Sequence, residues 1–301
     1  MNQNHSYNIP ALPVIIEKYP NEGLPPIKFN TFNIGNLPKD SWQMLITQEE
    51  AKKWDSFFDD LGCDSLPQNT AHHDIMYYPG MNSTAPYRNY GGPLTHFKIE
   101  NYQPVPINQT LIISGTITEK YLKRDKAFTT FKLTTHTETG DLVQEHWRTF
   151  MLPAEQKDKD QFSEKISSQD QQNNDQSLGE LESIQLLCSQ ERFKLIEGKG
   201  ESTAHTDLEK AKQMGWKKTT AQACISIAQV NRLLTSHFGK KFLSHGFYDI
   251  KLIKPTFANE TMNTSGTIVT SNPNATICNV KIETTENKLV TIGTGGIKIR
   301  D

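Results

Sequence analysis

Residues 97–119 and 248–270 are two copies of one segment. FKIENYQPVPINQTLIISGTITE and YDIKLIKPTFANETMNTSGTIVT align without a gap at an offset of 151 residues. They share Ile99 with Ile250, Pro104 with Pro255, Asn108 with Asn259, Thr110 with Thr261, and the whole SGTI string at 114–117 and 265–268. Solenoid units repeat every 20–50 residues or so, so an offset this long marks two copies of a whole domain. The likeness continues past a longer hairpin in the first copy, where FKLTTHTETGDLV (131–143) lies over VKIETTENKLV (280–290). Both stretches alternate apolar and polar residues and are rich in Thr, Val and Ile, the pattern of half-buried antiparallel strands.

A chain of 301 residues holds two domains of ordinary size, each with its own core. Its formal net charge of -2 leaves no electrostatic footprint for nucleic acid, which is not an expected partner. Cys63, Cys188, Cys224 and Cys278 are scattered and form no CxxC pair, which suits reduced thiols in the cytoplasm. MNQNHSYNIPALPVII lacks the charged start and unbroken apolar core of a signal peptide, and no apolar run is long enough to span a membrane.

From 154 to 180 the composition turns polar and poor in β-branched and aromatic residues, which cannot build a core. The expected division is an N-terminal domain over 1–153, a linker over 154–185 and a C-terminal domain over 186–301, with 181–190 a short helix or the run into the second domain. In the second domain, 191–200 reads as a strand. Residues 204–215 read as a short helix capped by Thr206 or Asp207 and ended by Gly215. A longer helix follows over about 221–238, apolar on most faces and stopped by Gly239. Strands are expected at 247–254, 261–270, 276–284 and 289–299. The first domain shows a polar, Pro-rich start, a helix at 47–60 with Thr47 and Glu50 spaced as a capping box, and an irregular stretch over 61–92. Its strands are expected at 95–102, 110–121, 128–137 and 142–151, with no counterpart of the 221–238 helix.

A long apolar helix wrapped by an antiparallel sheet is the hot-dog arrangement. The expected class is α+β, with two tandem hot-dog domains, each an antiparallel sheet, and the long central helix wrapped in the second. KGESTAHTDLEKA (199–211), then Gly215, AQA (221–223) and GFYDIKLIKP (246–255), resembles the motif of the MaoC-like, R-specific enoyl-CoA hydratase family. His205, Asp207 and Ala211 stand where that motif puts them, while Gly200 replaces its catalytic Asp and Ser202 its Asn. ITEKYLKRDKAFTTFKLTTHTETGDLV and LTHFKIENYQPV resemble the N-terminal half of double hot-dog dehydratases. The resemblance implies a hydro-lyase of fatty acid or polyketide metabolism, acting on an acyl-CoA or acyl carrier protein thioester as a 3-hydroxyacyl dehydratase or enoyl hydratase. It implies no organic or metal cofactor, and an intramolecular hot-dog pair whose degenerate first half shapes the substrate pocket. Further assembly into a homo-oligomer stays open.

Removing water from a 3-hydroxyacyl thioester needs a base for the α-proton, an acid for the leaving hydroxyl, and donors for the thioester oxygen as it gains charge. Free amides at the start of the long helix suit the last task, with Ala223 as the donor and Gln222 beside it. Imidazoles ordinarily titrate at about 6.5, which makes His205 the candidate base or acid. Asp207 is a cap or an orienting partner. Glu201, one residue past the missing Asp, is a substitute carboxylate, and Ser202 a hydrogen-bond partner for the water. Lys120, Lys123, Arg124 and Lys126 form a solvated hairpin, or else Lys123 and Arg124 meet substrate phosphates. NTAHHD (69–74) imitates the N-x-x-H-x-D spacing, but Pro67 replaces the Asp and only 32 positions separate His72 from Pro104, against 50 between His205 and Pro255, which reads as a loop coincidence. GTGG (293–296) lacks the Lys-Ser/Thr and helix of a phosphate loop and reads as close backbone packing. The rival reading, favoured by Gly200, is a non-catalytic hot-dog protein that binds an acyl thioester or a partner subunit. A thioesterase would need a carboxylate aimed at the thioester carbonyl.

Overall fold

The structure, a computed structural model, describes residues 14–15, 29, 34–84, 92–153, 177–197 and 202–300. The first half comprises β1 (Val14–Ile15), β2 (Gly35–Leu45), α1 (Gln48–Ser56), β3 (Thr70–Ala71), α2 (Tyr77–Ser83), β4 (Leu94–Asn101), β5 (Val105–Pro106), β6 (Thr110–Lys123), β7 (Lys126–Thr137) and β8 (Leu142–Pro153). The second comprises β9 (Gly179–Glu180), β10 (Ile184–Cys188), α3 (Gln190–Glu197), α4 (Leu208–Gln213), α5 (Ala223–Phe238), α6 (Lys240–His245), β11 (Gly246–Leu252), β12 (Glu260–Asn272), β13 (Ala275–Thr284) and β14 (Leu289–Lys298). The expected strands of both repeats are present, and α5 ends at Gly239, whose φ of 55° lies in the left-handed region that glycine enters without strain. No helix among the described residues is long and apolar enough to cross a membrane.

All strands but β3 and β5 join one antiparallel sheet in the order β1-β2-β6-β7-β8-β4-β11-β14-β13-β12-β10, with β9 on β12. The halves meet where β4 pairs with β11, and Lys98 faces Asp249 there. Those two residues occupy the same place in the repeat, so the pseudo-two-fold axis runs between them. Phe97 accordingly faces Ile250, the partner of Ile99, and Ile99 faces Tyr248, the partner of Phe97. Two copies of one surface meeting in this way form an isologous interface inside one chain. Beneath it lies a single core that draws Trp54, Ile75, Phe97 and Ile99 from the first copy and Ile225, Leu234, Tyr248 and Ile250 from the second. Burying each of the larger apolar side chains of α5 stabilises this core by about 1.5–3 kcal/mol before entropy is counted.

Local geometry repeats with the sequence. Asn108 and Asn259 both take positive φ, 59° and 67°, a conformation asparagine tolerates better than most residues. Their amides donate to Ile46 O (2.7 Å) and Cys188 O (2.8 Å), closing equivalent turns.

The same register corrects the reading of residues 61–92. Ile107 N–H donates to Asn69 O and Ala258 N–H to Thr219 O, both at 3.0 Å. Thr70 pairs with Pro106, and Thr220 with Phe257. Residues 69–73 therefore match 219–223, and NTAHHD is the entry to the first copy's own central helix. That helix runs as a 3-10 segment, His73–Met76, directly into α2. It is shorter than the 16 residues of α5. Polar His73 and Asp74 and the Pro79-Gly80 pair hide it in the sequence.

The sheet beneath the two helices differs to match. His146 and Arg148 stand opposite Ile99 and Phe97 in the first copy, where Gly293 and Gly295 stand opposite Ile250 and Tyr248 in the second. A Cβ on Gly295 would come 2.7 Å from Leu234 Cδ1 of α5, so the long helix sits close on a glycine strand. In the first copy the large side chains lie on the strand and the glycine on the helix, since a Cβ on Gly80 would come 2.6 Å from Arg148 Nη2. GTGG is close backbone packing: a Cβ on Gly293 would lie 2.0 Å from Asp249 O and one on Gly296 2.0 Å from Thr276 O.

Three further expectations change. Residues 190–197 form α3 rather than a strand: Ser189 Oγ accepts from Arg192 N–H (3.1 Å), and Phe193 and Ile196, three apart, are buried on one face. Gly179 and Glu180 already pair with β12, and Leu181 is buried, so the chain joins the second sheet before residue 186. The polar start of the first domain contains β2, whose register on β6 is interrupted between Asn36 and Ser41.

Candidate active site

Helix α5 begins at Ala223 with Gln222 as its N-cap, and Gln222 makes no side-chain capping bond. Its carboxamide turns instead to α3, where Nε2 donates to Phe193 O (2.9 Å) and to Glu197 Oε2 (3.0 Å). The first turn of α5 thus keeps amides that no side chain caps, at the positive end of the helix dipole. Gln222 is a positioning residue for that turn, its side chain being occupied elsewhere.

His205 lies between α3 and α4, half-buried, with Nδ1 2.7 Å from Thr220 O. A carbonyl only accepts, so Nδ1 carries the hydrogen and the neutral ring keeps its lone pair on Nε2. Thr220 is three residues before Ala223, which ties the imidazole to the strand of chain that feeds the helix. Gln190 fixes the backbone on the same side: its Nε2 donates to His205 O (2.9 Å), and its Oε1 accepts from the Thr219 hydroxyl. Helix α3 therefore brackets the entry to α5, holding Thr219 and His205 through Gln190 and Gln222 through Glu197.

Glu197 is the carboxylate that sequence reasoning passes over. Its Oε2, bonded to the Gln222 carboxamide, lies beside the entry to α5; burial pushes the Cys224 thiol and the Tyr78 hydroxyl upward, and the nearby Glu197 adds to both. Cys224 Sγ in turn lies 4.0 Å from the Tyr78 hydroxyl, so the first copy's helix reaches the same turn. Gln190, Phe193 and Glu197 have helical spacing, a signal legible only once 190–197 is read as a helix.

Ser202 and Asp207 turn on each other. Ser202 Oγ donates to Asp207 Oδ2 (2.7 Å), while Asp207 Oδ1 accepts from the amides of Glu209 (2.8 Å) and Lys210 (3.3 Å) and caps α4. The Ser202 hydroxyl first, then those amides, hold the Asp207 carboxyl below its ordinary value. Gly200 and Glu201 lie outside the described residues.

Lys123 and Arg124 sit at the β6–β7 turn, where Arg124 and Asp125 both take positive φ (49° and 57°) and Lys123 faces Lys126. Antiparallel pairing carries this turn to the edge where β11 ends, because Lys126 faces Pro153, Leu94 faces Phe150 and His96 faces Lys251. The segment 219–221 bonds to 256–258 just beyond that end. Three strand spacings separate β7 from β11, about 14 Å along the sheet.

Solved structures with this arrangement include a MaoC-like dehydratase from Phytophthora capsici, 14% identical over 89% of this chain and 97% of that one, with a TM-score of 0.67. The full-length peroxisomal multifunctional enzyme type 2 from Drosophila melanogaster matches at 14% identity and a TM-score of 0.67 over 86% of this chain, which spans 48% of that enzyme. A conserved hypothetical protein from Mycobacterium tuberculosis with a double hotdog fold matches at 10% identity and a TM-score of 0.59, over 91% and 98% of the two chains. The chain has the double hotdog fold seen in MaoC-like dehydratases. No protein-family model matches the sequence, and no curated protein matches it. Within this fold the second copy keeps the long central helix and His205, and the first keeps the short helix that carries Tyr78.

Proposed function

We propose that the protein is a hydro-lyase of acyl thioesters, interconverting a 3-hydroxyacyl and a trans-2-enoyl thioester at the N-terminus of α5. The observation that carries this reading is the placement of His205 and Glu197 on Thr220 and Gln222, the two residues that lead into the uncapped first turn of the helix. In dehydration, Nε2 of His205 takes the α-proton and hands it to the leaving hydroxyl, which the Glu197 carboxylate orients. The C–H and C–O bonds break, the C2–C3 double bond forms, and water departs. Hydration is the reverse. The Ala223 amide receives the charge that develops on the thioester oxygen, a role that preorganised donors fill without reorganisation. Glu197 stands in for the carboxylate that Gly200 cannot supply, in place of the Glu201 expected from the sequence.

The first copy shapes the acyl pocket through Tyr78, and residues 154–177 link it to the second. The carrier is coenzyme A or an acyl carrier protein. Lys123 and Arg124, on the edge of the sheet where the α5 entry lies, meet its phosphates. The free thiols of Cys63, Cys188, Cys224 and Cys278 suit a cytoplasmic setting.

Hydration of crotonyl-CoA and longer trans-2-enoyl-CoA substrates tests the proposal. Wild type should turn over at least one of them, and His205→Ala should lose about 10²–10⁴-fold in rate, the contribution of a positioned acid–base group. Gly200 favours a second reading, a binder of acyl thioesters without turnover. Saturable binding with no hydration of any chain length would establish it.

A further inference from the structure

Three side chains of the first half converge at a point the proposed reaction does not use. Asp55 lies in the last turn of α1, Cys63 follows Gly62 in a 3-10 turn, and His72 precedes the first copy's central helix. Each offers one donor atom, and the three atoms lie within 4.8 Å of one another. Cys63 Sγ is 3.8 Å from His72 Nε2, and the Cys63 thiol also bonds the Asp55 carboxyl. A tetrahedral zinc with ordinary bond lengths holds a sulfur and an imidazole nitrogen about 3.6 Å apart. The existing sulfur–nitrogen spacing needs to close by only a few tenths of an ångström.

The surroundings are built to hold this geometry. Gly62 has φ of 77°, and a Cβ on it would come 3.2 Å from His72 Cε1 and 3.3 Å from Arg232 O, so the turn presses Cys63 against α5 only with glycine there. His72 is buried, with one ring nitrogen toward sulfur and Asn231 of α5 alongside. Arg232, fully buried in α5, pairs with Asp55 Oδ1 (2.8 Å) and Asp74 Oδ2 (3.4 Å) and donates to Leu61 O (2.9 Å). Trp54 Nε1 donates to Asp74 Oδ2 (2.9 Å). Two carboxyl groups thus face one guanidinium beside the cluster.

We propose that Asp55, Cys63 and His72 form a zinc site that pins the end of α1 and the 60–66 turn to the central helix, with water in the fourth position. Thiolate, imidazole and carboxylate are the donor set zinc takes. On binding, the metal–sulfur bond forms and the Cys63 proton leaves to solvent. The site does not depend on the proposed reaction.

Cobalt(II) titration of the chelator-treated full-length protein tests it. The expected result is one equivalent bound with a near-ultraviolet thiolate-to-cobalt band, displaced by zinc, and a thermal midpoint raised by zinc and restored by chelator. Cys63→Ser should lose the band and weaken zinc binding by more than the roughly 10–100-fold typical of outer-shell changes. Cys278→Ser, a buried thiol elsewhere, should keep both. No cobalt–thiolate band in wild type, or a band that survives Cys63→Ser, overturns the proposal. Should Cys63→Ser fail to fold, the wild-type band and the zinc-dependent midpoint decide.

Discussion

Alanine at Gly293 should damage the protein more than alanine at Gly295, although the two glycines share one motif. A Cβ on Gly293 would lie 2.0 Å from Asp249 O and 2.7 Å from Ile250 Cα, both backbone atoms of β11 beside the pseudo-two-fold axis. Backbone cannot rotate away, so the strand pair must open. A Cβ on Gly295 meets Leu234 Cδ1 at 2.7 Å, the tip of a side chain that can change rotamer, and Tyr248 Cβ at a tighter-than-usual 3.0 Å. Overpacking costs about 1–3 kcal/mol and occasionally more, which puts Gly295→Ala near the low end and Gly293→Ala at or above the high end. At about 2–4 °C per kcal/mol for a large domain, the midpoints should fall by a few degrees and by about 6–12 °C or more. Thermal denaturation followed by fluorescence and circular dichroism gives both midpoints and checks that the transition is two-state. In a cycle with Leu234→Ala, Gly295→Ala should couple and lose part of its cost, while Gly293→Ala should remain additive. Equal or reversed costs would refute the packing account of this strand and reopen a ligand-binding role for the GTGG stretch.

Asp207→Ala should lower thermal stability slightly by uncapping α4 and leave turnover intact, and a loss of turnover like that of His205→Ala would return Asp207 to the chemistry. Asn259→Gly should be tolerated while Asn259→Ala costs about 1–2 kcal/mol, the price of left-handed backbone for a residue with a Cβ, and the same pair at Asn108 should behave alike in chemical denaturation. Burial first, then Arg148, hold His146 well below its ordinary range. The native ring therefore stays neutral where the unfolded chain takes a proton, so its contribution is complete above pH 6.5 or so and declines as pH falls below that value. Denaturation midpoints measured from pH 7 to pH 5 should show this decline, and His146→Gln should flatten it by up to about 1.4 kcal/mol per pH unit.

What the sequence discloses is what local pattern can encode. The strands of both repeats alternate in hydrophobicity, Thr47 and Glu50 form the capping box that their spacing suggests (Thr47 N–H to Glu50 Oε2, 2.7 Å), and α5 is apolar enough to stand out. The first copy's central helix is hidden because its polar residues are satisfied only in three dimensions: Asp74 by Trp54 and Arg232, His73 by Gln103 O at 2.8 Å. Helix α3 is misread because Phe193, Leu195 and Ile196 also suit a strand, and Leu195 is exposed. That error concealed Glu197, whose relation to Gln222 depends on a helical turn. His205 was legible because a resemblance carried it. The convergence of Asp55, Cys63 and His72 was not, because three separate elements bring them together.

The pH dependence of kcat/KM for enoyl-CoA hydration, measured on wild type, Glu197→Gln and His205→Gln with their folds checked by circular dichroism, tests the roles of His205 and Glu197 most directly. Wild type should lose rate as pH falls and His205 takes a proton, and each variant should lose about a hundredfold or more in rate. A Glu197→Gln profile identical to wild type would remove Glu197 from the chemistry while leaving His205 in place. A wild type that hydrates no enoyl thioester at any pH would contradict the account of the site as a whole.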